Sequence, residues 1–330
     1  MNHIKFDVTF LGNAIIDIIA KTTDQLLDEL SIPKGSMQLV NTETADNLLK
    51  NINDPIIVSG GSAANTAVGF SSFGGKACFL GQVGKDKFGE LFIKNINESG
   101  VFFQNKKTNN FIKTSKSIIL VTPDAERTMN TFLGASAAFD THSLNENLII
   151  NSKLLYIEGY LFDQQDAKKA IYHSCKLAIE NDVKIALSLS DLFCVDRHRR
   201  DFLDLIKKYV DIIFANETEI KNLYKSNLKY SVKNIRSDTK MGAITLGSKG
   251  SIVFDEDGSH NIDPVAIATP TDTTGAGDLF ASGFLYGLIK NYSLIKCGHL
   301  GTHAAGEIIT HYGARPEISL KTILDHNFNK

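Results

Sequence analysis

Short apolar runs bounded by turn residues alternate along the chain with longer stretches of helical period. The runs at 7–11, 77–83, 154–158, 184–189, 211–215, 242–246 and 251–254 predict strands. Between them, 86–99, 165–181 and 196–208 place apolar positions at helical spacing. Near-continuous apolar strands separated by helices are the pattern of a mainly parallel sheet covered on both faces, so a doubly wound α/β architecture is expected. One region departs from this rhythm. Residues 115–121, a turn over Pro123, Asp124, Ala125 and Glu126, and residues 127–133 read as a β-hairpin rather than a strand–helix unit. With 35–40 it predicts a small β-sheet, contributed by about 19–50 and 104–134, within one domain spanning 1–330.

Charge alters this picture by exclusion. Across 330 residues, 35 basic and 37 acidic side chains leave a formal net charge of -2. No global field then favours nucleic acid or an anionic membrane, and any anion must be bound locally. The four cysteines, Cys78, Cys175, Cys194 and Cys297, have neither C-x-x-C nor zinc-ligand spacing and read as reduced packed thiols. The first residues lack the pattern of a secretory signal, with Asp7, Asn13 and Asp17 interrupting the apolar stretches, and no window offers the roughly 20 apolar residues of a membrane span. A soluble cytoplasmic protein is expected.

The strongest chemical signal is DTTGAGD at 272–278, followed by LFASGFLYGL. Ala276, Leu279, Phe280, Gly283, Phe284, Gly287 and Leu288 recur at helical spacing, so a helix begins near Gly275. The backbone N–H groups of Gly275, Ala276, Gly277 and Asp278 would then point out of the helix N-terminus, where missing side chains admit a phosphate. Asp278 could be a mere favourable charge at the helix end. A carboxylate beside an anion site needs another task, however, and taking the proton of a hydroxyl that attacks a phosphoryl group is such a task. Transfer to a substrate rather than to water requires closure, so the small sheet is expected to act as a lid.

Earlier, 59–65 reads SGGSAAN at a strand-to-helix transition. A tight turn explains paired glycines, but with Asn65, whose amide both donates and accepts, the loop could meet a polyhydroxyl substrate. Asp17 stands between Ile15-Ile16 and Ile18-Ile19, either as a solvated strand-end residue or as a carboxylate accepting from two vicinal hydroxyls. Asn216 to Glu219 opens a helix at a strand's carboxyl end, as an ordinary cap or as acidic groups acting through Mg²⁺ and its waters. The turn from Thr245 to Gly250 supplies backbone donors and Lys249, and alone is an ordinary hairpin. His299 and His303, four residues apart, lack a third ligand nearby. The charge-balanced run from Asp196 to Asp201 reads as a solvated helix face.

GGSAAN and DTTGAGDLFASGF resemble the two signature segments of the PfkB/ribokinase family of kinases, and GNAIIDI, DIIFANETE and GTHAAGEIITHYGA are most similar to adenosine kinases. The resemblance implies a ribokinase-like fold, ATP and Mg²⁺ as cofactors, and a small-molecule substrate bound by a monomer or homodimer. It implies Asp278 as base with Gly275, Ala276 and Gly277 as anion hole. Asn13, Asp17, Gly61 and Asn65 would hold a ribose, and Arg127 in the hairpin has a counterpart in adenosine kinases. Tyr160 and Phe193 would enclose a base. Asn216, Thr245, Gly247, Gly250 and Thr302 would serve the nucleotide, and Glu219 the Mg²⁺ through water. Asp272 and Thr274 match positions that bind a monovalent cation, K⁺, in ribokinases. Glu158 resembles a ribokinase residue that meets the sugar. The expected acceptor is thus the 5′-hydroxyl of adenosine, with a sugar as the same-class alternative and a non-catalytic nucleoside sensor as the remote one.

Overall fold

The computed structural model describes residues 5–104, 112–124, 126–267 and 269–327. Residues 105–111 and Ala125, which belong to the expected lid segment and its turn, lie outside the described residues.

The strands are β1 Phe6–Leu11, β2 Ile15–Lys21, β3 Met37–Leu39, β4 Ile56–Gly60, β5 Ala77–Leu80, β6 Phe102–Phe103, β7 Ser115–Val121 and β8 Arg127–Phe132. They continue with β9 Ser152–Glu158, β10 Lys184–Ser188, β11 Ile212–Asn216, β12 Met241–Thr245, β13 Ser251–Phe254 and β14 Ser259–Ile262. Nine of them form one sheet in the order β14-β13-β12-β11-β10-β9-β1-β5-β6. Its pairings are parallel from β12 through β6, while β13 and β14 add an antiparallel edge. This is the ribokinase-like α/β architecture expected from the sequence.

Both faces of this sheet are buried because successive side chains alternate between two apolar layers. Val8, Phe10, Leu154, Tyr156 and Ala186 face one core, and Leu155, Ile157, Ile185 and Leu187 face the other. The first core is roofed by helices α1 Ser62–Ser72, α5 Ala276–Ile289 and α6 Leu294–Ile308; the second by α2 Gln165–Glu180, α3 Leu192–Tyr209 and α4 Glu217–Tyr224. Small residues draw α1, α5 and α6 together. A Cβ at Gly69 would lie 2.6 Å from Leu279, and one at Gly287 would lie 2.9 Å from the Cys297 sulfur. Close packing of α1 on α5 sets their N-termini side by side.

The remaining strands form a second sheet in the order β3-β8-β7-β2-β4. Ile16, Ile18 and Ala20 of β2 point into the first core, so the two-residue period turns Asp17 to the opposite, open face.

Three details differ from the sequence pattern. The strand expected over 77–83 ends at Leu80, where Gly81 turns the chain against the Gly12 carbonyl. The helix expected from 196 begins at Leu192, because Asp191 caps it by accepting from the Cys194 N–H at 2.6 Å. The charged run within that helix is not merely solvated. Arg197 grips Asp163 with two bonds of 3.0 and 2.8 Å, and His198, where the helix kinks, lies 2.7 Å from the same carboxylate.

Candidate active site

Parallel strands leave their carboxyl ends along one rim, and α/β sheets bind ligands there. Asn13 follows β1, Glu158 ends β9, Asn216 ends β11 and Thr245 ends β12. The N-termini of α1 and α5 reach the same rim.

Glu158 organises the rim beside β1. It is fully buried, and its carboxylate accepts from Asn13 Nδ2 at 2.8 Å, the Asn13 N–H at 3.3 Å and the Ala63 N–H at 2.8 Å. A side chain at Gly12 would strike this carboxylate, which is why the position requires glycine. Burial pushes the Glu158 carboxyl up to about 7, although the three donors favour its charged form. The visible task of Glu158 is therefore to tie the β1 loop to the start of α1.

Gly61 makes the turn into α1 with φ of 95°, a conformation side chains disfavour, and a Cβ there would collide with the Asn13 carbonyl. The next residues then reach Asp278. Ser62 Oγ donates to Asp278 Oδ1 at 2.6 Å, and Asn65 Nδ2 donates to Oδ2 at 3.2 Å. Asn65 Oδ1 is buried with no protein partner. Burial pushes the Asp278 carboxyl up to about 6, against the lowering pull of Ser62 and Asn65. A carboxylate with that pKa is ionised at neutral pH yet only weakly acidic when protonated, which suits it to accept and release a proton.

Gly275 caps α5 with φ of 80°, and a Cβ there would stand 2.8 Å from Ala314. Gly277 faces open space. Of the four N–H groups at this helix end, that of Ala276 donates to the Thr273 carbonyl at 3.2 Å. Those of Gly275, Gly277 and Asp278 precede the first full turn, where a helix leaves its N–H groups without a partner of its own.

Asp17 stands on the open face of β2, paired with Val58 of β4 and reaching over Gly60, whose missing side chain makes room for its carboxylate. Burial pushes its carboxyl up to about 7; Arg315 pulls it down, Asp278 pushes it further up and Arg127 pulls it down. Arg127, at the start of β8, crosses from the small sheet to the loop before α5. It pairs with Asp272 Oδ2 at 2.5 Å and donates to Thr274 Oγ1. Asp272 also accepts from the Thr274 N–H at 2.8 Å and the Gly313 N–H at 3.0 Å. A monovalent cation at Asp272 and Thr274 would share that carboxylate with the guanidinium.

At the β11 end of the rim, Asn216 and Glu219 form a reciprocal cap on α4. Asn216 Oδ1 accepts from the Glu219 N–H at 2.9 Å, while Glu219 accepts from the Asn216 N–H at 2.9 Å and Asn216 Nδ2 at 2.5 Å. Glu219 is buried, and burial pushes its carboxyl up to about 7. Thr245 pairs in register with Asn216 across β11 and β12. Gly247 and Gly250, with φ of 60° and 86°, shape the turn beyond it. Thr302 Oγ1 donates within α6 to the Gly298 carbonyl at 3.0 Å.

Tyr160 donates its hydroxyl to the Ser190 carbonyl at 3.4 Å, and Asp191, Asp278, Glu219 and Glu158 all act on it electrostatically. It therefore lies amid the acidic groups of the rim. Phe193, near the start of α3, is 62% exposed. Two further residues join the expected set. Ser62 was readable as part of the GGSAAN segment; Arg315, which lies beside no strand end in sequence, was not.

A buried carboxylate beside a helix N-terminus, at the rim of this fold, is the arrangement that a phosphotransferase with an alcohol group as acceptor uses. The match of the pfkB family carbohydrate kinase profile to residues 7–321 is decisive, and the chain belongs to that family. It is similar to the adenosine kinase of Saccharomyces cerevisiae, with 29% identity covering 92% of this chain and 94% of that one. The crystal structure of adenosine kinase from Sinorhizobium meliloti matches with 40% identity, covering 97% of this chain and 99% of that one, at a TM-score of 0.91. A probable sugar kinase from Rhizobium etli CFN 42 matches equally, at 40% identity and a TM-score of 0.91, covering 97% of this chain and 98% of the other. Family membership implies ATP as phosphoryl donor and a divalent metal ion. Among the described residues no helix is long and apolar enough to cross a membrane.

The residues present fit a nucleotide at the α5 N-terminus, where free backbone donors meet open space at Gly277. They fit a metal less directly, since Glu219 is buried and committed to Asn216.

Proposed function

We propose that the chain transfers the γ-phosphoryl of ATP to the 5′-hydroxyl of adenosine or a closely related purine nucleoside. The observation that carries the acceptor reading is Phe193, an apolar ring left 62% exposed where α3 leaves the rim, with Tyr160 beside the same turn. An exposed ring at this place suits stacking by a flat base. The burial of Glu158 weakens the sugar alternative, since its oxygens serve Asn13 and Ala63.

In this reading Asp17 accepts hydrogen bonds from the ribose diol, and Asn65 Oδ1, buried without a partner, accepts one more. The 5′-hydroxyl is then directed at Asp278, which takes its proton as the oxygen attacks; Ser62 and Asn65 hold the carboxylate in aim. ATP and Mg²⁺, when bound, supply the phosphoryl group and charge neutralisation, with Gly275, Gly277 and Asp278 N–H groups, Thr245, Gly247, Gly250 and Thr302 as the nucleotide's partners. Asn216 and Glu219 would act on the metal through water, and K⁺ would lie at Asp272 and Thr274. The small sheet is the lid, with Arg127 its link to the anion-binding loop.

The test is ATP consumption with purine nucleosides, ribose, fructose and their monophosphates, with and without K⁺. Adenosine should be preferred, and Ala at both Tyr160 and Phe193 should cripple that activity. Preference for ribose or fructose, unaffected by the double substitution, would replace the nucleoside reading with the sugar one.

A further inference from the structure

The stretch after α6 brings a guanidinium to the rim. Gly313 donates to Asp272, and Ala314 packs on Gly275, so the backbone is fixed to the anion-binding loop one residue before Arg315. Arg315 Nε and Nη2 are buried and have no hydrogen-bond partner in the protein. A buried donor left unmatched is costly, and such groups in native sites await a ligand or a water. Burial pushes the Arg315 guanidinium down to about 10, against the raising pull of Asp17. Arg127, by contrast, is already spent on Asp272 and Thr274.

Both arginines act on Asp17, but only Arg315 keeps unpartnered donors. The Arg127 guanidinium is paired with Asp272 and Thr274, whereas Arg315 faces the field of Asp17 with Nε and Nη2 unpaired. Arg315 keeps two unpartnered donors and acts on the Asp17 carboxylate, which also feels Asp278; Asn65, bonded to Asp278, keeps an unpartnered Oδ1 acceptor. A hydroxyl both donates and accepts, so a vicinal diol can satisfy a carboxylate and a guanidinium at once. A phosphate on the acceptor molecule would satisfy Arg315 but would face Asp17 and Asp278.

We infer that Arg315 is a specificity-determining residue for the acceptor, donating Nε–H and Nη2–H to the oxygens of the vicinal diol whose protons are directed at Asp17. This rests on the reading of Asp17 as the diol carboxylate.

The experiment compares adenosine with 2′-deoxyadenosine and 3′-deoxyadenosine in the wild type, Arg315→Met and Arg315→Lys, with thermal unfolding of each. A hydrogen bond to a charged donor is worth roughly 10- to 100-fold in discrimination. Arg315→Met should raise KM for adenosine by about that factor, change kcat by less than about threefold, and bring the adenosine-to-deoxyadenosine ratio toward one. Arg315→Lys should recover part of the ratio. Equal losses for all three nucleosides with a lower unfolding temperature would mark a structural role, and equal losses in kcat a contact with the phosphoryl group; either overturns the inference. If Arg315→Met does not fold, Arg315→Lys decides, and an unchanged ratio refutes the inference. If the wild type phosphorylates ribose and not adenosine, the nucleoside proposal fails, and ribose against 2-deoxyribose tests Arg315 in the same way.

Discussion

Gly275 and Gly277 lie two residues apart, yet substitution should affect them in different ways. Gly275 holds φ of 80° against Ala314, so Gly275→Ala strains the fold, at a cost of about 1–2 kcal/mol seen as a lower unfolding temperature. Gly277 has no left-handed φ and meets nothing within 4 Å, so Gly277→Ala should leave the unfolding temperature unchanged. Its added methyl group would instead face the anion, raising KM for ATP roughly 10-fold or more. Such residues were legible in sequence because a backbone requirement dictates the side chain, or its absence. Asp278 was legible for a related reason, being a carboxylate where an anion site would ordinarily exclude one. Glu158 stood out in sequence only through a resemblance, as a residue that meets a sugar and not as a partner of Asn13 and Ala63, and Arg315 did not stand out at all. The part played by Glu158 depends on where Asn13 and Ala63 fall after folding, and that of Arg315 on the return of the chain beyond α6 to the α5 N-terminus.

At the level of elements, the parallel order of the large sheet followed from apolar runs alternating with helices. The second sheet was only partly visible. The hairpin of β7 and β8 announced itself by its turn, whereas β2 and β4, 35 residues apart from the end of one to the start of the other, are joined by pairing that local pattern does not encode. Asp17 became interpretable only with β2, because alternation along the strand is what places it on the open face. The β8 strand carries Arg127 to Asp272, a pair with Asp272 almost wholly covered, and this is the cross-link from the small sheet to the anion-binding loop. Arg127→Ala should therefore accelerate amide exchange in β7 and β8 and lower turnover about 10-fold or more, without altering exchange in β9 and β10. Unchanged exchange in β7 and β8 would mean that the pair does not hold the lid.

Over the whole molecule, buried carboxyls set the response to pH. Asp17, Glu158 and Glu219 are raised to about 7 and Asp278 to about 6, so between about pH 4 and 7 the folded chain holds protons that the unfolded chain has released. Stability then falls as pH rises through that window. Asp7, Asp86 and Asp272, whose pKa values are lowered, give up their contribution only below their ordinary value near 3.8, and His303, lowered by burial, opposes the trend only near 6.5. The ligand-free protein should consequently unfold at a higher temperature at pH 5 than at pH 8, and the reverse order would show that the acidic rim is less dehydrated than its geometry implies. The same Asp278 carboxyl should give kcat/KM an acidic limb near pH 6. The acidic limb presupposes that Asp278 takes the proton of the attacking hydroxyl, and one measurement tests that directly: phosphorylation of adenosine at saturating ATP by the wild type and by Asp278→Asn. The account predicts a loss of about 10²–10⁴-fold in kcat with adenosine still bound and the fold intact, and it is contradicted if Asp278→Asn transfers phosphoryl groups at the wild-type rate.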